Sequence, residues 1–509
     1  MPRSQVVPRW PPELLPLLAF ALVAGAYFVA RYDGHWAESD SATMTQAIRS
    51  LVDTGHLDTG LTTAYSNGYG YQAVSALILA YTGLDPRVLQ QLVYPLISAL
   101  LVIPAWVLYR ELTGSGRTAG LATLLLLLVP EYLFSISRSS HERLDRAFLF
   151  AAIWLLVRSI GQRQDPARFA IHLALTLVFA YSLVATNALF GMSFVLAMGT
   201  ALAIAWIARR LVPTVRDAAA DTGRLLGWTT AAAIVLTGMV ILLVYPPILD
   251  SIRALSVIPG ALADLVLNGG TSADPYASVG AAWVSTGAFL VLSAANFVLL
   301  GTSGLVWIRM GWGWLRGGTT PSIGTWMLWV LFAAFAFQGV AGIVSDRTGA
   351  LQGNAQYRAF SVCATMAAPV VAYAIASRPR PRLRFVLAGV VAFAAAAAFV
   401  KATLDPLASN RWLFFTDAEV QGQLWVDAHN RASATWIGRD DRLAAAYLLM
   451  VGPPSYGNTW DDVVPATTTR VFLLSDPIRL QAQRQGTSLP APTADVVYDN
   501  GSVTIVRTR

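Results

Sequence analysis

The chain has 509 residues, 55% of them hydrophobic and only 13% charged, and its charges crowd into short stretches between long apolar runs, which excludes an ordinary soluble protein. The formal charge of +7 sits mostly on arginines in those short stretches, so it reads as membrane topology and excludes nucleic acid as the partner. The single cysteine, Cys363, lies inside an apolar run, which leaves neither a disulfide framework nor a cysteine metal site.

A hydrocarbon core about 30 Å thick needs roughly 20 apolar residues per helical crossing, and backbone groups in lipid must be satisfied within the segment, so the runs are expected to be helices. The first, over 13–30, follows Arg3 and Arg9 as a signal peptide would. The residues after it, Arg31-Tyr32-Asp33-Gly34-His35-Trp36, carry no small-residue cleavage pattern, so a retained span is expected. Gly70–Tyr81 is apolar but short, and counting it as a span would invert every later loop; it reads as an interfacial or re-entrant helix. Further spans are expected over 88–109, 118–136, 146–161, 168–184, 187–208, 227–247, 280–308, 323–343, 358–377 and 384–402, giving about eleven crossings.

Every second loop is rich in arginine: Arg110 and Arg117; Arg158, Arg163 and Arg168; Arg209, Arg210, Arg216 and Arg224; Arg309 and Arg316; Arg378, Arg380, Arg382 and Arg384. The positive-inside rule puts these loops and the N-terminus in the cytoplasm of a multi-pass plasma-membrane protein. The remaining loops, 31–87, 137–145, the tight turn near 185, 248–279 and 344–357, then face outward with everything after 402. From Asp405 charges of both signs return and apolar runs shorten. Thr469–Leu474 reads as a strand, and Asp499-Asn500-Gly501-Ser502 between Val496–Tyr498 and Val503–Val506 reads as a hairpin turn. The expected architecture is an all-α polytopic membrane domain over 1–403 and a small extracytoplasmic α/β domain over 404–509.

Two outer stretches concentrate ionisable residues. The first is Glu38-Ser39-Asp40, leading to Arg49 and Gly55-His56; the second holds Arg138, His141, Glu142, Arg143, Asp145 and Arg146. The plain alternative is a pair of solvated caps that stop helices at the interface. The tryptophans Trp307, Trp312, Trp314, Trp326 and Trp329 read as headgroup-level anchors near span ends. Asn187, Gln338 and Tyr181 read as interhelical hydrogen-bond partners.

These stretches resemble the GT-C glycosyltransferases, and most closely the catalytic subunit of oligosaccharyltransferases. That family carries an acidic residue soon after span one with a downstream arginine, matched by Asp40 and Arg49. Its second outer loop reads Arg-Ser, five residues, Asp, matched by Arg138-Ser139 and Asp145. An arginine opens a late span, matched by Arg358 in Gln356-Tyr357-Arg358-Ala359-Phe360 ahead of Pro369. Two features depart. The family's Trp-Trp-Asp-Tyr-Gly motif is replaced by Thr435-Trp436-Ile437-Gly438-Arg439-Asp440-Asp441, and 248–279 contains Asp250, Asp264 and Asp274 but no glutamate. The resemblance therefore implies lipid-linked sugar transfer in the broad sense and stops short of asparagine-linked glycosylation.

It implies a polyprenyl-phosphate-linked sugar donor, a membrane lipid, with Asp40 and Asp145 as catalytic carboxylates and Arg358, Arg138, Arg49 and Arg347 on the substrate. A carboxylate can orient or deprotonate an acceptor hydroxyl, and forked guanidinium donors suit a departing phosphate. Asp40 and Asp145 could share Mg2+ or Mn2+, with Glu142 and His141 as further ligands, although helix capping is the plainer role for that pair. A lipid-sugar flippase and a non-catalytic relative are the rival readings. A flippase should place ionisable residues inside several spans, and the expected spans carry essentially none.

Overall fold

A computed structural model of the chain describes residues 11–31, 39–57, 68–137, 140–162, 164–267, 286–317, 320–346, 354–377, 384–403, 416–429, 434–437, 456–457, 469–485, 489 and 495–508. All eleven expected spans fall on helices: α1 (Leu14–Arg31), α4 (Pro86–Thr113), α5 and α6 (Gly116–Leu127 and Pro130–Ser137), α7 (Glu142–Gly161), α8 (Pro166–Thr186), α9 (Ala188–Leu211), α10 (Arg216–Met239), α12 (Thr286–Leu315), α13 (Ile323–Asp346), α14 (Asn354–Ala376) and α15 (Arg384–Thr403). Among the described residues, five of them (α1, α4, α8, α9 and α13) are long and apolar enough to cross a membrane on length and composition alone; a sixth is gained if α5 and α6 form one broken span. The chain is a multi-pass membrane protein.

The expected continuous span over 118–136 is broken. α5 and α6 meet at 83°, because Pro130 offers no N–H to the preceding turn and its ring pushes Val129 away from helical geometry. The expected outer loop 248–279 carries α11 (Ile248–Leu267), a full helix with Pro259 inside it. The short apolar stretch within the first outer loop is a helix, α3 (Gly70–Thr82), as expected. It packs on α2 (Ser39–Thr54) through a cluster of Met44, Ile48, Tyr71, Leu79, Leu89 and Tyr94.

Contacts among the described residues agree with the alternation read from the arginines where they cover it. At one end Arg158 pairs with Glu111 at 3.0 Å, Thr214 Oγ1 donates to the Trp314 carbonyl at 3.0 Å, and Gly324 lies so close to the Glu111 carbonyl that a Cβ would sit 2.7 Å from it. At the other end Tyr69 N donates to the Ala185 carbonyl at 2.7 Å, and Arg146 reaches Ser361. Among the described residues, these two sets of segments thus lie at different ends of the bundle.

The tryptophans behave differently from headgroup anchors. Trp307 and Trp329 stack with ring centres 4.8 Å apart, and each indole Nε1 donates to the other's carbonyl oxygen at 3.0 Å. Trp326 stacks on Trp329, is buried, and donates to Thr222 Oγ1 at 3.1 Å. Satisfying each indole N–H inside the bundle lets these rings serve as core; Trp312 alone of the set is largely exposed. Gln338 and Tyr181 do link helices, to Ser193 and Tyr69.

The C-terminal region is a five-stranded sheet in the order β2-β1-β3-β5-β4, with β1 (Ala434–Ile437) parallel to both β2 (Tyr456–Gly457) and β3 (Thr469–Ser475). The strands β4 (Asp495–Asp499) and β5 (Val503–Thr508) run antiparallel to each other. Helices α16 (Asp417–His429) and α17 (Asp476–Gln485) flank it, and Val426, Val471, Leu473, Ile478, Val503 and Ile505 fill its core. The hairpin closes between Asn500 and Val503, so its central pair is Gly501-Ser502 rather than Asn500-Gly501. Gly501 has φ +90°, the conformation a turn of this kind demands of its first central residue. Asp499 Oδ1 accepts from Gly501 N at 2.8 Å and Asn500 Oδ1 from Val503 N at 2.8 Å.

Candidate functional site

Residues 140–146 are buried at the end of the bundle opposite the arginine-rich one, with only Leu144 partly exposed, which disfavours the alternative of a solvated cap. The bend between α5 and α6 turns the chain back over the bundle, and α7 starts at Glu142, so its first turn is covered rather than wet. Asp145 and Arg146 are both essentially inaccessible.

The Arg146 guanidinium is held on four sides. It lies over the rings of Tyr132 (4.8 Å) and Phe190 (5.5 Å), donates to Ser361 Oγ at 3.0 Å, and stands 3.8 Å from the Glu142 carboxylate one turn back. Its Nε and Nη1 have no hydrogen-bond partner among the described residues, and neither oxygen of Asp145 has a well-formed one. Buried polar groups are normally satisfied, and unsatisfied ones mark sites that meet something else. Asp145 stands in the outer loop ahead of the expected span 146–161. Burial pushes its carboxyl well above the usual carboxylate range and Glu142 adds to this, while Asn187 and Arg146 oppose it.

Asn187 belongs to the same corner. Its Oδ1 accepts from Leu189 N at 3.0 Å and starts α9. The first outer loop is pressed onto this corner: a Cβ at Gly68 would meet the Thr186 carbonyl at 2.5 Å, and one at Gly70 would meet Thr186 Oγ1 at 2.6 Å. Only glycine permits that approach. Tyr69, between them, shares a 2.6 Å hydrogen bond with Tyr181, and burial followed by this bond raises its phenol pKa, keeping it neutral. Leu144, adjacent to Asp145, packs into the cluster that holds Met44 and Ile48 of α2.

The sequence-derived candidates therefore divide. Asp145, Glu142 and His141 are buried together. Glu142 faces Arg146, and among the described residues no three His, Cys, Asp or Glu side chains form a metal-binding group; the side chain of Asp40, the remaining member of the expected set with His141, Glu142 and Asp145, lies outside them. Asp40 lies in the first turn of α2 and Arg358 in the second turn of α14, but their side chains lie outside the described residues, as do Arg138 and Arg347 altogether. Arg49 is on α2, half-buried. The structure nonetheless brings the carriers together: α2 touches the Leu144 cluster, and Ser361, which Arg146 grips, is one helical turn after Arg358. Arg146 itself was not singled out; its signal was its place beside Asp145 and its four-residue spacing from Glu142.

A second buried group corrects the expectation that the spans hold no ionisable residues. Glu131 of α6 pairs with Lys401 of α15 at 2.6 Å and accepts from Asn296 of α12. The group joins three helices at the break after α5.

No protein-family model and no curated protein matches this sequence. Solved structures do. The archaeal oligosaccharyltransferase of Archaeoglobus fulgidus in its apo form matches with TM-score 0.59 at 11% identity, over 92% of this chain and 71% of that one. The oligosaccharyltransferase AglB from Archaeoglobus fulgidus, in complex with an inhibitory peptide and a dolichol-phosphate, matches with TM-score 0.57 at 12% identity, over 90% and 69%. ArnT from Cupriavidus metallidurans bound to undecaprenyl phosphate matches with TM-score 0.55 at 14% identity, over 96% and 97%. The chain therefore shares its fold with these membrane proteins, in line with the resemblance that its loop motifs carry.

Proposed function

We propose that this chain is a glycosyltransferase that moves a sugar or oligosaccharide from a polyprenyl-phosphate-linked donor to an acceptor on the extracytoplasmic face of the plasma membrane. The observation that carries this reading is the buried juxtaposition of Asp145 and Arg146, with carboxylate oxygens and guanidinium N–H groups unsatisfied among the described residues, on a turn tied to the helix of Arg358. That the similar structures were solved with undecaprenyl phosphate and with a dolichol-phosphate supports a lipid-linked donor. The arginine-rich end is then cytoplasmic, and the site and the C-terminal domain are outside.

In this mechanism Asp145, with Asp40, orients the acceptor hydroxyl and takes its proton as the sugar's bond to phosphate breaks. Burial raises the pKa of Asp145, so its carboxylate, once deprotonated, is the stronger base for that step. Arg146, Arg358 and the outer-loop arginines Arg138, Arg49 and Arg347 stabilise the phosphate as its charge grows. Burial strengthens each of these interactions and excludes water from the reacting bond. The unsatisfied oxygens of Asp145 also fit a hard divalent cation, Mg2+ or Mn2+, which usually takes one or two carboxylates and fills its other positions with water and substrate phosphate. Asp145 and Asp40 would hold it, and it would supply positive charge at the leaving phosphate.

The test is transfer from labelled polyprenyl-phosphate sugars in membranes expressing the parent, D145N, D40N and R358K. Loss of transfer in all three variants, each still folded, is the expected result. Parental activity in D145N and D40N would overturn the reading and favour a non-catalytic relative.

A further inference from the structure

The arginine-rich end of the bundle carries a feature that the transfer reaction does not use. Between α9 and α10 the chain turns through Pro213–Val215, and beside this turn an open cavity of about 450 Å3 is lined by Trp206, Arg209, Arg210 and Arg216. The Arg210 guanidinium sits 3.8 Å from the centre of the Trp206 ring. A guanidinium stacked by its face keeps its edge N–H groups available, and those match phosphate oxygens in a fork.

Other arginines at this end are neutralised by acids: Arg158 by Glu111 at 3.0 Å and Arg168 by Asp165 at 3.1 Å. Arg209, Arg210 and Arg216 have no ion-pair partner among the described residues, and Asp217, next in sequence to Arg216, pairs with none of them. Three uncompensated cations around one cavity repel each other unless an anion sits among them. The flank of the cavity is apolar and outward-facing: on the last two turns of α9, Trp206 is 55%, Ile207 47% and Leu211 69% exposed. A free phosphate has no use for that flank, whereas an acyl chain does. An indole at the edge of a membrane span sits where headgroup and chain meet.

We propose that this cavity binds the phosphate headgroup of an anionic phospholipid from the leaflet at the arginine-rich end, with its acyl chain along the exposed face of α9. Phosphate would lie among Arg209, Arg210 and Arg216, and Trp206 would lie against the glycerol region. Charge complementarity selects the headgroup, and the apolar flank selects a lipid over a soluble ester. The site is at the opposite end of the bundle from Asp145 and Arg146, so its occupancy and the transfer reaction are separable.

The experiment is native mass spectrometry of the purified full-length chain with phosphatidylglycerol and with phosphatidylcholine of the same acyl length. The parent is expected to retain phosphatidylglycerol in preference. The R209Q/R210Q/R216Q variant should lose roughly a hundredfold in affinity for it, and the R158Q/R168Q control should keep the parental preference. If the triple variant does not elute as folded protein, the single variants R209Q and R216Q, both at exposed positions, should each lose about fivefold. Undiminished retention in the triple or in both single variants would overturn the proposal, as would equal retention of the two lipids by the parent. Displacement of phosphatidylglycerol by millimolar glycerol 3-phosphate would overturn it in favour of a soluble phosphate ester.

Discussion

Arg146 Nη2 donates to Ser361 Oγ at 3.0 Å, joining the turn that carries Asp145 to the helix that carries Arg358, across 215 positions of sequence. A buried guanidinium with aromatic rings on two sides cannot be replaced by a lysine without losing both the forked donors and the stacking. R146K is expected to lower transfer at least tenfold. S361A removes one hydrogen bond to a charged donor and should cost about 1.5–3 kcal/mol of stability, with a smaller effect on rate. Transfer assays on each variant beside thermal unfolding in detergent separate the two effects, and a parental rate in R146K would remove Arg146 from the site.

Asp145→Asn keeps the shape of the side chain and removes the charge that base or metal work requires. Transfer should fall by roughly 10²–10⁴-fold. Because burial raises the pKa of Asp145 and so disfavours its charged form, the neutral amide should unfold no earlier than the parent. Asp53→Asn, on the exposed side of α2, is expected to change neither property. Initial rates and melting temperatures of the two variants, measured side by side, check this contrast.

The buried pair Glu131 and Lys401 should be worth little as a pair and much as a dependency. K401M leaves a carboxylate buried with only Asn296 beside it, and should destabilise the chain by about 3–5 kcal/mol. The double variant E131Q/K401M, with no charge left to bury, should recover most of that loss. Unfolding free energies of the parent, the single variants and the double variant complete the cycle; an additive double variant would show that the contact carries no coupling.

The proposed sidedness is open to cysteine labelling, because the one native cysteine, Cys363, is buried and should stay silent. D53C in the first outer loop and V496C on the exposed edge of β4 are expected to react with a membrane-impermeant maleimide on intact cells. A167C at the start of α8, between Asp165 and Arg168, should react only after permeabilisation. The reverse pattern would invert the topology and move the candidate site to the cytoplasm.

Hydrophobic run length and arginine placement are properties of neighbouring residues, and they sufficed for the helices, for the alternation of loops that Arg158–Glu111 and Tyr69–Ala185 bear out, and for the strand at Thr469. The motif spacing from Arg138 to Asp145 likewise carried the resemblance that the fold bears out. What the sequence alone did not determine depends on partners far along the chain. Charged residues at 140–146 read equally well as a site or as a solvated cap until the helices of Phe190 and Ser361 are seen to cover them. Glu131 lies inside an apolar run, and the lysine that neutralises it, Lys401, stands 270 positions later. Local patterns report how much free energy a segment gains by leaving water. Only the tertiary structure decides which buried charge meets which, because desolvating a charge is costly and the answer depends on the one partner placed to compensate it.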